Sequence, residues 1–246
     1  SISSLAILGL LPQNLKTDGQ VFLNEQELLS LSEVAKRQIR GHKIAMIFQE
    51  PMTALNPVFR IGQQVAEVIQ LHDPQYTTPA QIKARTLELL ELVGIANAQG
   101  VERMYPHELS GGMRQRVMIA IALACNPRVI IADEPTTALD VTIQAQILEL
   151  LRSLKDKIGS AILLITHDLG VVAGIADHVV VMYAGRVVEK GTVHEVFRQP
   201  AHPYTIGLMA AKPVVGKRTD TLYAIPGKVP NPVDMPAYCY FRDRCE

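Results

Sequence analysis

An α/β fold built on a parallel sheet is predicted by three stretches with a common plan. Lys43 to Phe48, Val129 to Ala132 and Ala161 to Ile165 are apolar runs of strand length, the pattern of strands covered on both faces. Each run ends in polar residues: Gln49 after the first, Asp133-Glu134 after the second, Thr166-His167-Asp168 after the third. Helical patterns separate the runs, and ligands in such sheets bind at the carboxyl ends of the strands. The fold class therefore already names the candidate site.

The elements follow in order. Ser1 to Leu11 reads as a helix packed by its leucines and isoleucines and stopped by Pro12. Gly19 to Leu23 reads as a strand, and Lys43 to Phe48 as a second strand, central because nearly all of it is apolar. Pro51 to Pro57 is turn chemistry, after which the pattern is helical as far as Arg128. Ile61 to Leu71 is one amphipathic run. Thr78-Pro79-Ala80-Gln81 is a capping box with Pro at the first helical position, opening a helix that continues to Gly94 at C′.

Ser110 followed by Gly111 and Gly112 can cap the next helix while leaving backbone N–H groups outward, an anion site that suits a phosphate. Of the two carboxylates after Ala132, one can hold Mg²⁺ and the other can polarise a water. The helix after Asp140 carries Ile143, Ile147, Leu150, Leu151 and Leu154 as a core-facing stripe and ends at Gly159. Val179 to Glu189 reads as a hairpin turning at Gly185-Arg186, and a short helix follows, capped by Thr192 with Glu195 at N3. His202-Pro203-Tyr204-Thr205 opens another. Beyond it Pro213, Pro226, Pro230, Pro232 and Pro236 prescribe extended, loop-like chain.

Bulk properties narrow the function. The 246 residues suffice for one sizeable domain plus an appendage. Lys+Arg 24 balance Asp+Glu 24, which argues against a general nucleic-acid binder. Although 48% of residues are hydrophobic, no uninterrupted apolar run reaches bilayer length, so a soluble or peripheral protein is expected. Three cysteines do not form an even disulfide framework, which favours a reducing compartment. Cys125 ends an apolar helix and reads as a small buried hydrophobe; His178 and His194 read as surface or packing residues. A start at Ser and an end one residue after a cysteine suggest a fragment cut at both ends.

Ser110-Gly111-Gly112-Met113-Arg114-Gln115, Val129 to Glu134 and Ala138-Leu139-Asp140, in this order and spacing, resemble the signature loop, Walker B strand and D-loop of ABC transporter ATP-binding subunits. Glu50 to Pro57 and Tyr105 to Glu108 are similar to the oligopeptide, dipeptide and nickel importer branch. Leu109 to Gln115 and Ile131 to Asp140 look most like its dipeptide/oligopeptide D-type subunit.

The resemblance implies a P-loop NTPase (RecA-like) core over 1–49 and 124–199, an inserted ABC helical subdomain over 50–123 and a Pro-rich C-terminal extension over 200–246. It implies ATP and Mg²⁺ as ligands. Asp133, Gln49 and Ser1 would hold Mg²⁺, Glu134 would be the catalytic base, and Gln49 and His167 would place water and γ-phosphate. Ser110, Gly111, Gly112, Gln115 and Asp140 would meet the nucleotide of a second subunit. Ser1 would be the last hydroxyl of the phosphate loop by position only; its glycines and lysine are absent from the chain, and a plain helix-start serine is the alternative. Without that lysine the chain as given is expected to bind nucleotide poorly and to turn over none.

In many family members cysteines like Cys239 and Cys245, with others further on, hold a [4Fe–4S] cluster. Four thiolates are normally needed, and this tail has two. The expected partners are a related F-type ATPase in a head-to-tail dimer, two membrane permeases and, indirectly, a periplasmic or extracellular peptide-binding protein, with no nucleic acid. The expected place is the cytoplasmic face of the bacterial inner membrane, and the expected work is di- or oligopeptide uptake driven by ATP. A nickel importer of the same family is the near alternative. A non-transport ABC ATPase would show tandem cassettes or a long coiled-coil insertion, and a regulatory module a damaged catalytic set; the chain shows neither.

Overall fold

The structure, a computed structural model, describes residues 1–211, 223–233, 235 and 237–245. The expectations at Pro213 and Pro236 lie outside them. The chain divides into two compact units, residues 1–167 and 168–246.

The first unit opens with α1 (Ile2–Ile7). This helix is shorter than the predicted Ser1–Leu11, because the chain turns at Gly9, whose φ of +62° is left-handed backbone. The predicted first strand shrinks to β1 (Phe22–Leu23), paired antiparallel with β2 (Gln26–Glu27) across a turn that holds Asn24 at φ +55°. α2 (Glu33–Ile39), capped by Ser32, leads to β3 (Ile44–Ile47).

Short α3 (Pro51–Ala54) follows, then α4 (Ile61–His72), α5 (Pro79–Leu92), α6 (Ala98–Glu102) and α7 (Gly111–Leu123). The capping box of α5 is present: Gln81 N–H donates to Thr78 Oγ1 at 3.3 Å and Thr78 N–H to Gln81 Oε1 at 3.1 Å. Gly94 stands at C′ with φ +79°. α7 buries residues all round, among them Val117, Ile119, Ala120 and Leu123, because α3, α4 and α5 pack on it and β3 lies against it as well.

Next come β4 (Val129–Asp133), α8 (Val141–Ile158) and β5 (Ala161–Ile165). α8 buries Ile147, Leu151 and Leu154 of its predicted stripe. Among the described residues β3, β4 and β5 form one parallel sheet in that order, with Ile47 opposite Ala132 and Asp133 opposite Ile165. β4 is thus the central strand, and the expectation that β3 is central is corrected. Its apolar side chains are covered by other layers rather than by strands on both sides: α7 packs on it, and Ile44 joins Leu8, Leu28, Ile39 and Ile131 in one cluster. β5 is the opposite edge, and Leu163 on it is 45% exposed.

The second unit contains α9 (Leu169–Ile175), β6 (His178–Tyr183), β7 (Arg186–Thr192), α10 (Val193–Arg198) and α11 (Pro203–Ala210). β6 and β7 form the predicted hairpin. Ala184 and Gly185, both with positive φ, make the two-residue connection that matches strand twist. The Thr192 and Glu195 capping box opens α10. Pro226, Pro230 and Pro232 lie in irregular chain. Arg244 ties this segment down by donating to the carbonyls of Pro226 and Ile225 at 2.6 and 3.0 Å, while Phe241 meets Tyr183 edge to face at 5.2 Å. No helix among the described residues is long and apolar enough to cross a membrane.

Candidate active site

Parallel pairing aligns three polar strand ends. Gln49 lies two residues past Ile47, Glu134 directly after Asp133, and His167 two past Ile165, so the register of β3, β4 and β5 brings all three to one edge. Their side chains meet on Glu134. Gln49 Nε2 donates to its Oε2 at 2.9 Å, and Nδ1 of His167 stands 3.2 Å from its Oε1. Because an ionised carboxylate only accepts, this contact puts a proton on Nδ1.

A third donor was not singled out by the motifs: Thr137 Oγ1 donates to Glu134 Oε2 at 2.8 Å. The signal lay in its position, three residues on, where a turn can fold a hydroxyl back onto the carboxylate. The Thr137 N–H to Glu134 carbonyl bond of 3.2 Å closes that turn. The hydroxyl of Thr137 lowers the Glu134 carboxyl most, burial pushes it back up, and with the ring of His167 the carboxyl stays below its usual range. Glu134 is therefore an anion near neutral pH. Its φ of +46° is uncommon for a residue with a side chain and carries the backbone sharply out of the strand.

Asp133, one residue earlier, points the other way and is 3% exposed. The positive amino group of Ser1 contacts its Oδ2. The hydroxyl expected to ligate Mg²⁺ thus belongs to the residue beside Asp133, on the turn that starts α1.

The glycine loop occupies the start of α7. Ser110 Oγ accepts from Met113 N–H at 3.3 Å, which makes Ser110 the N-cap, and both it and Gly111 are exposed. Gly112 packs on the start of α8: a Cβ there would come within 2.7 Å of Ile143 Cγ2. Gln115 is turned inward, 2% exposed, and its Nε2 has no partner among the described residues. Asp140, the remaining predicted contact, is exposed and caps α8 by accepting from Ile143 N–H at 3.0 Å.

Known proteins give this arrangement its family. The ABC transporter family matches residues 3–137, and the oligopeptide/dipeptide transporter C-terminal region matches 188–246. The chain is 53% identical over 247 residues to the oligopeptide transport ATP-binding protein AppD of Bacillus subtilis (strain 168), covering 100% of this chain and 75% of that protein. The chain belongs to the ABC transporter family.

Further relatives of this ABC protein include the oligopeptide transport ATP-binding protein OppD of Escherichia coli (strain K12), 49% identical over 245 residues covering 100% of this chain and 72% of that one. Among solved structures, the ATP-binding cassette MJ0796, dimeric and bound to ADP and Pi, aligns at 29% identity with a TM-score of 0.65 over 72% of this chain and 74% of that chain. CbiO1 from Clostridium perfringens, part of the ABC transporter complex cbiONQ, aligns at 27% identity with a TM-score of 0.66 over 80% and 74%. The fold is that of a P-loop NTPase cassette.

The donor set of this cassette fits Mg²⁺. That ion binds through one or two carboxylates, with phosphates and water completing its shell, and needs no dedicated protein cage. Asp133, at the end of β4, supplies such a carboxylate. For an iron–sulfur cluster the described residues supply two exposed thiolates, Cys239 and Cys245, half of the usual set.

Proposed function

We infer that this protein is the ATP-hydrolysing subunit of an importer that takes up di- or oligopeptides, acting at the cytoplasmic face of the membrane. The observation that carries the reading is the convergence of Gln49, Thr137 and His167 from three separate places on one ionised carboxylate, Glu134. The names of the relatives, oligopeptide transport ATP-binding proteins, supply the cargo class.

Phosphoryl transfer asks a protein for positioning and charge neutralisation more than for covalent chemistry. Bound Mg²⁺ would neutralise charge developing on the phosphates. Asp133 would hold that ion, with Ser1 and Gln49 as further oxygen ligands beside it. Glu134 takes the proton of the attacking water. Gln49 and His167, which rest on Glu134 in this structure, then turn to the water and the γ-phosphate. Ser110 and Gly111, exposed at the positive end of α7, face the nucleotide of a second ATPase subunit in a head-to-tail dimer, with Asp140 at the same junction. Gln115, being buried, supports the helix start from within rather than touching that nucleotide. Two permease subunits receive the motion as the dimer closes and opens.

The test is ATP turnover by the full-length protein in its assembled importer with Glu134→Gln. Loss of a positioned general base lowers kcat by roughly 10²- to 10⁴-fold, with nucleotide binding retained. Undiminished hydrolysis refutes the assignment.

A further inference from the structure

We propose that Thr137 is a positioning residue for hydrolysis: its hydroxyl clamps Oε2 of Glu134, so that Oε1 is the oxygen left to take the proton from water. This rests on the reading of Glu134 as the base. Oε2 accepts two hydrogen bonds, from Thr137 Oγ1 at 2.8 Å and Gln49 Nε2 at 2.9 Å, which occupies both of its lone pairs. Among the described residues Oε1 meets the His167 ring, whose side chain is 77% exposed on a loop past another strand. The three donors differ in one respect. Gln49 and His167 follow β3 and β5, and both leave Glu134 when they turn to substrate. Thr137 shares the turn of Glu134, closed by its own N–H to the Glu134 carbonyl at 3.2 Å, and so travels with the carboxylate.

The clamp answers a problem the backbone creates. A long, flexible side chain leaves Glu134 at φ +46°, where the strand has ended and the sheet holds only the backbone, through the Glu134 N–H donating to the Ile165 carbonyl at 2.8 Å. Without a local donor the carboxylate would swing through its rotamers whenever Gln49 and His167 leave. Orientation alone is worth large rate factors when a base must face a water at hydrogen-bond range. No covalent step is added. The proton passes from water to Oε1, and the hydroxyl of Thr137 keeps its own.

The experiment measures steady-state ATP turnover of the full-length protein in its assembled importer for Thr137→Val, Thr137→Ser and Glu134→Gln. Valine keeps the branched shape and removes the donor. It is expected to lower kcat roughly tenfold, as befits one charge-assisted hydrogen bond, with KM for ATP within about twofold and an unchanged melting temperature. Serine restores the donor and is expected to restore kcat. The proposal is overturned if valine turns over ATP like the parent, if serine fails as valine does, or if the valine loss appears in KM or in melting temperature. Glu134→Gln separates the two readings. If it alone abolishes turnover while Thr137→Val does not, only the clamp falls; if Glu134→Gln stays active, the base assignment falls and the clamp with it.

Discussion

At the scale of single residues, the site is a study in how burial sorts identical chemistry. Asp133 and Glu134 are consecutive carboxylates, yet one sits buried at the sheet end and the other stands on a turn among three donors. Strand alternation sends successive side chains to opposite faces, and the left-handed backbone at Glu134 completes the separation. The cysteines are sorted by the same rule. Cys125 is buried, and burial, then the nearby Asp73 charge, pushes its thiol up to about 11, whereas Cys239 and Cys245 are exposed. At pH 8 Cys125 is thus overwhelmingly protonated and shielded. Titration with an aromatic disulfide is expected to show two readily reacting thiols in the folded protein and the third only in denaturant; a rapid third equivalent would contradict the burial of Cys125.

At the scale of elements, α7 and α8 are the pair that sets the loop geometry. Each is capped by the residue just before it, Ser110 and Asp140, and they touch where Gly112 meets Ile143. Ile143 is β-branched, so its Cγ2 cannot rotate away cheaply from an added methyl. Gly112→Ala is expected to destabilise the protein by about 1–3 kcal/mol, readable in the denaturant midpoint, and Ile143→Ala in the same chain should recover most of that. Gly111→Ala should be milder, because a Cβ there meets Leu139 Cδ2 at an ordinary 3.6 Å. Equal effects at the two glycines would mean that helix spacing does not govern the loop. How much of this was legible differs by element. The caps at Thr78, Ser110 and Thr192 could be read because each is a local exchange between one side chain and the N–H groups three residues on. The place of β3 in the sheet could not, since an apolar strand looks the same whether strands or helices cover it.

At the scale of the whole molecule, the proposed arrangement gives the exposed start of α7 to the nucleotide of a second ATPase subunit. Ser110→Arg places a bulky cation on that face while leaving the first subunit's own carboxylates untouched. Nucleotide affinity of the isolated full-length subunit is expected to stay within about twofold, while turnover in the assembled importer falls by at least roughly tenfold, the loss of a desolvated contact. A fall in both, or in neither, would assign Ser110 to the subunit's own site or to none.

Residue order alone determined the three apolar strands, the long helices and the hairpin, the caps at Thr78, Ser110 and Thr192, and that Gln49, Glu134 and His167 each follow an apolar strand. Those are local matters, settled by periodicity and by hydrogen bonds that span three or four residues. Only the tertiary structure decided that β4 is the middle strand, that Gln115 turns inward while Ser110 does not, and that Thr137 joins the donors on Glu134. Each of these depends on which layers pack together and on the aim of a side chain leaving a left-handed turn, and neither is written in the spacing of residues along a strand.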